Sequence, residues 1–168
     1  VYQIYDELRS KNIKIIEDCA QAIGAKYNEK NVGYYADYSV FSFQSHKNIS
    51  TLGEGGMLSI KDYSSYKKIK LQRHNGHTKY LLHEDKYWKP AMSDVRKAYK
   101  DSFPSNFCMN EFQAIVGSYL LNKVDEIIDK RKMNWKIAED LLKKYNKISM
   151  QKIPLNSSSS FHLLPLRI

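Results

Sequence analysis

Apolar positions in the first half of the chain change from helical spacing to short continuous runs. Apolar residues at helical spacing predict a helix over residues 1–11 that packs against a sheet. Short apolar runs predict strands at 13–17, 38–43 and 56–60, and the second of these is rich in aromatic and β-branched residues. A second helix is predicted over residues 62–72. This succession of helices and strands predicts an α/β layer.

The stretches between these strands are polar or built of small residues. Residues 18–25 are small and suit a turn of helix, whereas residues 26–34 and 44–55 predict loops. A helical pattern returns at 109–145 and is too long for one ordinary helix, so we expect a bend or break near residues 123–133. The rest of the chain predicts an edge strand, a serine-rich loop and a final strand, at 148–150, 156–160 and 161–168.

A change of domain is expected near residue 130. An α/β layer comes before that point, and a helix with β material comes after it, so we assign one domain to 1–130 and the start of a second to 131–168. The first residues already belong to an amphipathic helix, and the last residues form an apolar strand-like run. We therefore expect a fragment of a longer protein.

The charge of the chain is basic but scattered. Its 168 residues carry 27 Lys and Arg against 18 Asp and Glu, a net charge of +9. Such a balance can indicate a nucleic-acid partner. Here, however, the lysines alternate with acids along the predicted helices, which is typical of solvated helix faces. We therefore predict no nucleic-acid partner, and the absence of a long apolar segment predicts no membrane span.

The cysteine content indicates a reducing compartment. The chain has two cysteines, Cys19 and Cys108, and they form no CxxC motif. A disulfide scaffold is therefore not expected. We expect a cytoplasmic location, because thiols stay reduced there. Cys19 lies in an apolar turn and is most simply explained as a small buried residue.

An acid and a lysine follow two of the predicted strands. Asp18 follows the first strand, Lys47 follows the second, and a glycine-rich turn at 53–56 comes next. Pyridoxal phosphate chemistry requires such a pair, because the lysine carries the aldehyde as a Schiff base and the acid keeps the pyridine nitrogen protonated. Ser42 could donate to the cofactor phosphate, and Gln21 could lie beside the ring.

Each of these residues also has an ordinary structural explanation. An Asp after a strand is most often a helix cap, and a Lys is usually a surface charge. A glycine cluster is usually a turn, and a Ser at a strand end is usually a cap or a solvated hydroxyl. The prediction therefore depends on the whole set and on its order along the chain.

Four segments in order resemble one known family. They are IIEDCAQAIGA, FSFQSHKN, GEGGML, and NFCMNEFQAIVG followed by LNKVDEIIDKR, and they span residues 15–131. The set resembles the DegT/DnrJ/StrS family of PLP-dependent sugar aminotransferases. This resemblance implies part of a PLP-dependent transferase type I fold, in the α/β class. The part would comprise the large-domain sheet with flanking helices and the start of a small C-terminal α/β domain.

The resemblance also implies a role for individual residues. Asp18 would pair with the pyridine nitrogen of pyridoxal 5'-phosphate, and Gln21 would lie against the ring near its hydroxyl. Ser42 would contact the phosphate, and Lys47 would form the Schiff base. Asn106 matches an asparagine that reaches the cofactor phosphate of a partner subunit, so a homodimer is implied.

The implied reaction moves an amino group from glutamate, or glutamine, to a nucleotide-linked keto-sugar for polysaccharide or glycan precursors. The chain departs from the family pattern in length, since the family is roughly twice as long and carries a phosphate loop and a stacking aromatic residue earlier. Cys108 also stands where an arginine is common. His46 precedes Lys47, and some relatives that place histidine at the lysine position act as sugar dehydratases. A dehydratase and a cofactor-free truncated copy with a structural or dimerising role therefore remain alternatives.

Residues 73–105 lack clear periodicity and hold three of the five histidines, His74, His77 and His83. The spacing of the first two suits one face of a helix, but the Asn-Gly pair at 75–76 favours a turn. No acid or cysteine lies at zinc spacing, so we predict no metal site. The aromatic-rich stretch 80–88 suits a dimer interface or a lid equally well.

Overall fold

The computed structural model describes residues 2–75 and 105–168. The chain divides into two compact units. The first consists of Val1–Ser59 with Glu111–Ile168, and the second is Ile60–Asn110.

The described helices and strands can be given in chain order. The helices are a 3₁₀ turn at Tyr2–Ile4, α1 at Tyr5–Ser10, α2 at Tyr63–Arg73, α3 at Glu111–Leu121 and α4 at Val124–Leu142. The strands are β1 at Ile16–Asp18, β2 at Lys26–Tyr27, β3 at Lys30–Asn31, β4 at Tyr38–Ser42, β5 at Gly56–Ile60, β6 at Ser149–Met150, β7 at Ser157–Ser158 and β8 at Leu166–Arg167.

The main sheet of the first unit has the order β1-β4-β5. Strands β1 and β4 are parallel, and Ile16 is paired with Tyr38. Beyond β4 the backbone turns back, because the amide of Phe43 donates to the carbonyl of Gly55 (2.8 Å) and the amide of Ser45 to that of Gly53 (2.7 Å). Strands β4 and β5, the second and third predicted strands, therefore form a hairpin. Strand β1, the first predicted strand, is parallel to β4.

Two small antiparallel sheets complete the strands of the first unit. One has the order β3-β2-β7, and the other pairs β6 with β8. The predicted loop at 26–34 is therefore wrong in part, since it contains the hairpin β2–β3. The serine-rich stretch is likewise partly strand, because β7 pairs with β2. The final strand is shorter than predicted, and only Leu166–Arg167 pairs with β6.

The core of the first unit lies between α1 and the start of the main sheet. Tyr5, Ile15 and Ala36 are buried there, and the rings of Tyr2 and Tyr35 pack against them. The amide of Ile15 donates to Asp37 Oδ2 (2.9 Å), which holds the chain just before β1 to the turn just before β4. This local order aligns the two parallel strands and so positions the residues at their carboxyl ends.

The long helical pattern is broken as predicted. Helix α3 ends at Leu121 and α4 begins at Val124, with Asn122 and Lys123 between them. Acidic residues in the first turn of α4 favour a new helix start there, because they complement the helix dipole. Within the described ranges, every helix is too short or too polar to cross a bilayer. The assigned domain boundary near residue 130 stays a prediction.

The second unit contains α2 and residues that pair with its C-terminal end. The side chain of Asp62 caps α2 by accepting a hydrogen bond from the amide of Ser65 (2.7 Å), as expected for a helix that begins there. At the other end, the amide of Phe107 donates to the carbonyl of Arg73 (2.9 Å), and His74 forms a bridge with Asn106.

Candidate functional site

Asp18 and Ser42 lie at the carboxyl ends of two neighbouring parallel strands. Asp18 is the last residue of β1 and is paired with Val40, while Ser42 is the last residue of β4, two residues further on. Paired residues share a face of a sheet, and so do residues two apart on a strand. Asp18 and Ser42 are therefore on the same face and at the same edge, where ligands of open α/β sheets usually bind.

The Asp18 carboxylate is exposed and only partly engaged. Its Oδ1 accepts a hydrogen bond from the amide of Ala20 (2.9 Å), which orders the turn after β1. Ile16 and Val40, on the same face, are also exposed. Asp18 thus stands at the end of an apolar sheet face and retains carboxylate lone pairs for a further donor.

Lys47 lies on the tight turn that leads from β4 towards β5. Its amide donates to the carbonyl of Gln44 (2.9 Å), and the amide of His46 donates to Gln44 Oε1 (2.8 Å). The side chain of Lys47 is half-buried. Within residues 2–75 and 105–168 the structure shows no ion pair or hydrogen bond at its amine. The turn that carries Lys47 therefore follows the same end of the main sheet at which Asp18 lies.

The turn is anchored by the residues that follow Lys47. Asn48, Ile49 and Thr51 are buried. The Thr51 amide donates to the carbonyl of Phe43 (2.9 Å), and its hydroxyl donates to the carbonyl of Glu54 (3.0 Å). These bonds close the loop on itself, so the position of Lys47 is set by a compact, hydrogen-bonded turn.

Glycines are required where this loop is crowded. A Cβ on Gly56 would lie 2.9 Å from the carbonyl oxygen of Phe41, so only glycine fits beside β4 without a shift. Gly53 has a φ of +123°, which side chains rarely adopt. The glycine-rich turn thus has a structural explanation and contributes to the site by placing the Lys47 loop.

Gln21 lies in the turn after Asp18 and is linked to a distant part of the chain. The hydroxyl of Ser160 donates to the backbone carbonyl of Gln21 (2.7 Å), and the Gln21 side chain is exposed. The amide Nδ2 of Asn48 donates to the carbonyl of Ser160 (2.8 Å). One short segment near the C-terminus therefore connects the Asp18 turn to the Lys47 turn.

His162 is a site residue that the sequence analysis did not identify. Its Nδ1 lies 3.1 Å from Asn48 Oδ1. Burial lowers the pKa of His162 below its usual range, and the positive charges of Lys47 and Arg131 lower it further. In the sequence, His162 is marked only by its position inside an apolar run. That position does not indicate that Asn48 is its partner.

Asn106 belongs to the second unit. Its side-chain Oδ1 accepts a hydrogen bond from the amide of Cys108 (3.2 Å), and Asn106 is exposed. The Cys108 thiol lies 2.8 Å from His74 Nδ1. The role that the resemblance assigns to Asn106, on the cofactor of a partner subunit, stays a prediction.

One further concave surface has a different character. A cleft of about 160 Å³ is lined in part by Trp135, Gln151, Ser159 and Leu163. None of the predicted cofactor residues lines it, and its lining includes no ionisable side chain. Its lining has serine hydroxyls but no acid or base beside them to activate a nucleophile, so among the described residues the strand ends are the better candidate site.

Among the residues that the structure describes, no group of three His, Cys, Asp or Glu side chains could hold a metal ion. His77, His83 and the aromatic stretch 80–88 lie outside the described residues.

The chemistry of the residues present fits pyridoxal phosphate. Asp18 offers a carboxylate for a protonated ring nitrogen, Lys47 offers a primary amine for an aldehyde, and Ser42 offers a hydroxyl for a phosphate oxygen. Asp18 and Ser42 share a face of the sheet, and Lys47 follows Ser42 at the same edge. The three side chains therefore provide one partner each for the ring nitrogen, the aldehyde and the phosphate of that cofactor.

Comparison with known proteins shows a single family. Residues 3–168 match the model of the DegT/DnrJ/EryC1/StrS aminotransferase family. GDP-perosamine synthase of Escherichia coli O157:H7 is 32% identical over 160 residues, which are 95% of this chain and 38% of that protein. The UDP-4-amino-4,6-dideoxy-N-acetyl-beta-L-altrosamine transaminase of Campylobacter jejuni (strain 81-176) is 30% identical over 164 residues, 98% of this chain and 40% of that protein. The chain thus spans about 40% of the length of these relatives.

Solved structures show the same fold. Helicobacter pylori PseC, an aminotransferase involved in the biosynthesis of pseudoaminic acid, superposes with a TM-score of 0.80 at 28% identity. The match covers 97% of this chain and 40% of PseC. The aminotransferase TlmJ from Streptoalloteichus hindustanus has a TM-score of 0.82 at 20% identity, over 98% of this chain and 41% of that structure. The predicted partial fold of a PLP-dependent transferase is confirmed.

Proposed function

Since this chain belongs to the DegT/DnrJ/EryC1/StrS aminotransferase family, we propose that the full-length protein is a PLP-dependent aminotransferase that moves an amino group from glutamate to a nucleotide-linked keto-sugar. The observation that carries the proposal is the placement of Asp18 and of the Lys47 turn at one edge of one sheet. The available amine of Lys47 and the partly engaged carboxylate of Asp18 support it.

Pyridoxal phosphate, when bound, supplies an aldehyde that condenses with amines and a ring that absorbs electrons. Lys47 would hold the aldehyde through its Nζ, and the same Nζ would serve as a general base and acid for proton transfer. Asp18 would accept a hydrogen bond from the protonated ring nitrogen and keep the proton there. Ser42 would donate a hydrogen bond to the phosphate, and Gln21 would lie beside the ring.

The substrate class rests on the relatives. The synthase is named for GDP-perosamine and the transaminase for a UDP-linked amino sugar. By analogy, the acceptor of this protein is a keto-sugar linked to a nucleotide, and its product serves polysaccharide or glycan synthesis. We also propose that the protein assembles as a homodimer, in which Asn106 reaches the cofactor of the partner subunit. The same proposal includes a cytoplasmic location of the protein.

Chemical trapping tests the role of Lys47. The full-length protein is incubated with pyridoxal phosphate, reduced with borohydride and digested, and the peptides are measured by mass spectrometry. We expect a phosphopyridoxyl group on Lys47, and none on that peptide in Lys47→Ala. Lys132→Ala, which removes an exposed lysine of α4, serves as the matched control and retains the label on Lys47.

Turnover tests the reaction. With a nucleotide-linked keto-sugar and glutamate, the protein should form one 2-oxoglutarate for each amino sugar. Release of ammonia without consumption of glutamate would instead indicate a dehydratase. A Lys47→Ala protein that still transaminates, or a wild-type protein without trapped cofactor, would overturn the proposal.

A further inference from the structure

Asn48 is a buried amide placed directly after the proposed cofactor lysine. It is 8% exposed, and its neighbour Ile49 is 1% exposed. A buried carboxamide is costly unless both of its ends form hydrogen bonds. Both ends of Asn48 do so, and both partners lie more than a hundred residues away along the chain.

The orientation of the Asn48 amide follows from its partners. The backbone carbonyl of Ser160 can only accept, so the group 2.8 Å from it is the Nδ2 amine. The Oδ1 atom then faces His162 Nδ1 at 3.1 Å, and this imidazole nitrogen must carry the proton. In the neutral ring, Nε2 is left as an acceptor. The hydrogen bonds therefore determine the tautomer of His162.

Burial and two nearby positive charges disfavour the imidazolium form of His162. Burial, Lys47 and Arg131 all lower the pKa of His162. Arg131 also holds the segment in place, because its Nη1 lies 3.4 Å from the carbonyl oxygens of Phe161 and His162. Among the residues that the structure describes, no carboxylate contributes to the lowered pKa of His162.

The backbone at Phe161 brings both partners onto Asn48. Phe161 is buried and has a φ of +48°, which is an uncommon and strained backbone conformation for a bulky residue. The edge-to-face contact between its ring and Trp135 (5.8 Å between centroids) holds it there. The turn at Phe161 allows the Ser160 carbonyl and the His162 ring to reach the same amide. Strain of this kind persists where surrounding contacts over-determine it, and it is frequent at functional sites.

We infer that Asn48 and His162 form a positioning pair, which holds the turn that carries Lys47 against residues 160–162 and so places the Lys47 amine. This inference rests on the proposed role of Lys47. The pair does not touch the reacting atoms. Because Ser160 also binds the Gln21 carbonyl, the same segment holds the turn after Asp18. The two cofactor-binding turns are thereby kept at a fixed separation.

The contact between Asn48 Oδ1 and His162 Nδ1 is tested by histidine NMR on the full-length protein without cofactor. In the wild type, the His162 ring should titrate below its ordinary pKa. In Asn48→Asp the new carboxylate faces Nδ1 and favours the imidazolium, so the pKa of His162 should rise. Asn134→Asp, at an exposed position of α4, should leave that pKa unchanged. An unchanged His162 titration in Asn48→Asp would overturn the inference, and this measurement does not depend on activity.

The positioning role is tested by steady-state kinetics. Asn48→Ala should lower kcat by about 10- to 100-fold with little change in KM, because a small displacement of a reacting group has effects of this order. His162→Gln retains an N–H that can reach Asn48 Oδ1 and should keep more of kcat than His162→Leu. If Asn48→Ala does not fold, the comparison of kcat between His162→Gln and His162→Leu tests the positioning role. Equal kcat values for His162→Gln, His162→Leu and the wild type would overturn the inference. Failure of the wild type to transaminate would instead overturn the proposed function.

Discussion

Asp18 of β1 is the register partner of Val40 of β4, and Ser42 lies two residues beyond Val40 on the same face of the sheet. A parallel pair in this register makes an acid and a hydroxyl diagonal neighbours on one face where both strands end. The Lys47 turn begins just beyond, so three groups of different chemistry converge on one edge.

Replacing the acid at the strand end should affect activity far more than stability. Asp18→Asn keeps an acceptor for the amide of Ala20, so the turn after β1 should stay intact. It removes the charge that holds the ring proton, and loss of one such electrostatic partner costs about 100- to 1,000-fold in kcat. Steady-state kinetics and thermal unfolding of the full-length protein check this. Asp6→Asn, at a 95% exposed carboxylate, is the control and should change neither kcat nor the stability to thermal unfolding. Wild-type kcat in Asp18→Asn would contradict the proposed role.

A methyl group at Gly24 should destabilise the protein. Gly24 has a φ of +85°, and a Cβ there would lie 2.7 Å from Ile128 Cγ1 of α4. Overpacking of this kind costs about 1–3 kcal/mol in the free energy of unfolding, and the positive φ adds about 1 kcal/mol. Urea unfolding measures the change.

The matched control for Gly24→Ala is Gly53→Ala. Gly53 also has a positive φ, but a Cβ there would meet no atom within 4 Å. This variant should therefore show the backbone cost alone. A loss in Gly24→Ala no larger than about 1 kcal/mol, the backbone cost alone, would show that contact with Ile128 contributes nothing.

Acid should weaken the protein partly through Asp37. The hydrogen bond from the amide of Ile15 lowers the pKa of Asp37, and the charges of Lys14 and Arg9 lower it further against a smaller opposing effect of burial. A carboxyl with a lowered folded-state pKa stabilises the fold above its unfolded pKa of about 3.9, and this stabilisation is lost as the pH falls through the folded-state pKa. The unfolding free energy should thus fall below about pH 4, and less steeply in Asp37→Asn. Identical pH profiles for the two proteins would refute the linkage.

The two cysteines should differ in reactivity. Burial raises the pKa of the Cys19 thiol to about 12, with a further contribution from the nearby Glu17 carboxylate. Cys19 is 1% exposed, whereas Cys108 is exposed. At pH 8, iodoacetamide should modify Cys108 and leave Cys19 unmodified until the protein is unfolded in urea. Peptide mass spectrometry distinguishes the two sites, and equal labelling of both in the folded protein would contradict the prediction.

Local signals in the sequence were sufficient for much of the fold. Helical spacing and short apolar runs predicted α1, the three strands of the main sheet, α2 and the break before α4. The hairpin β2–β3 was missed, because its strands have two residues each and gain their stability from pairing with β7. A strand this short carries no periodicity that sequence analysis can detect.

The ordered motifs were sufficient to identify the family and to predict the cofactor and the candidate residues Asp18, Gln21, Ser42 and Lys47, because such motifs are contiguous in the sequence. Only the tertiary structure decided what holds them. Asn48 meets Ser160 and His162 across separations of 112 and 114 residues. Contacts of that length depend on the register of β1 with β4 and on the left-handed backbone at Phe161. No local pattern of residues encodes either feature, since both arise when the whole chain packs.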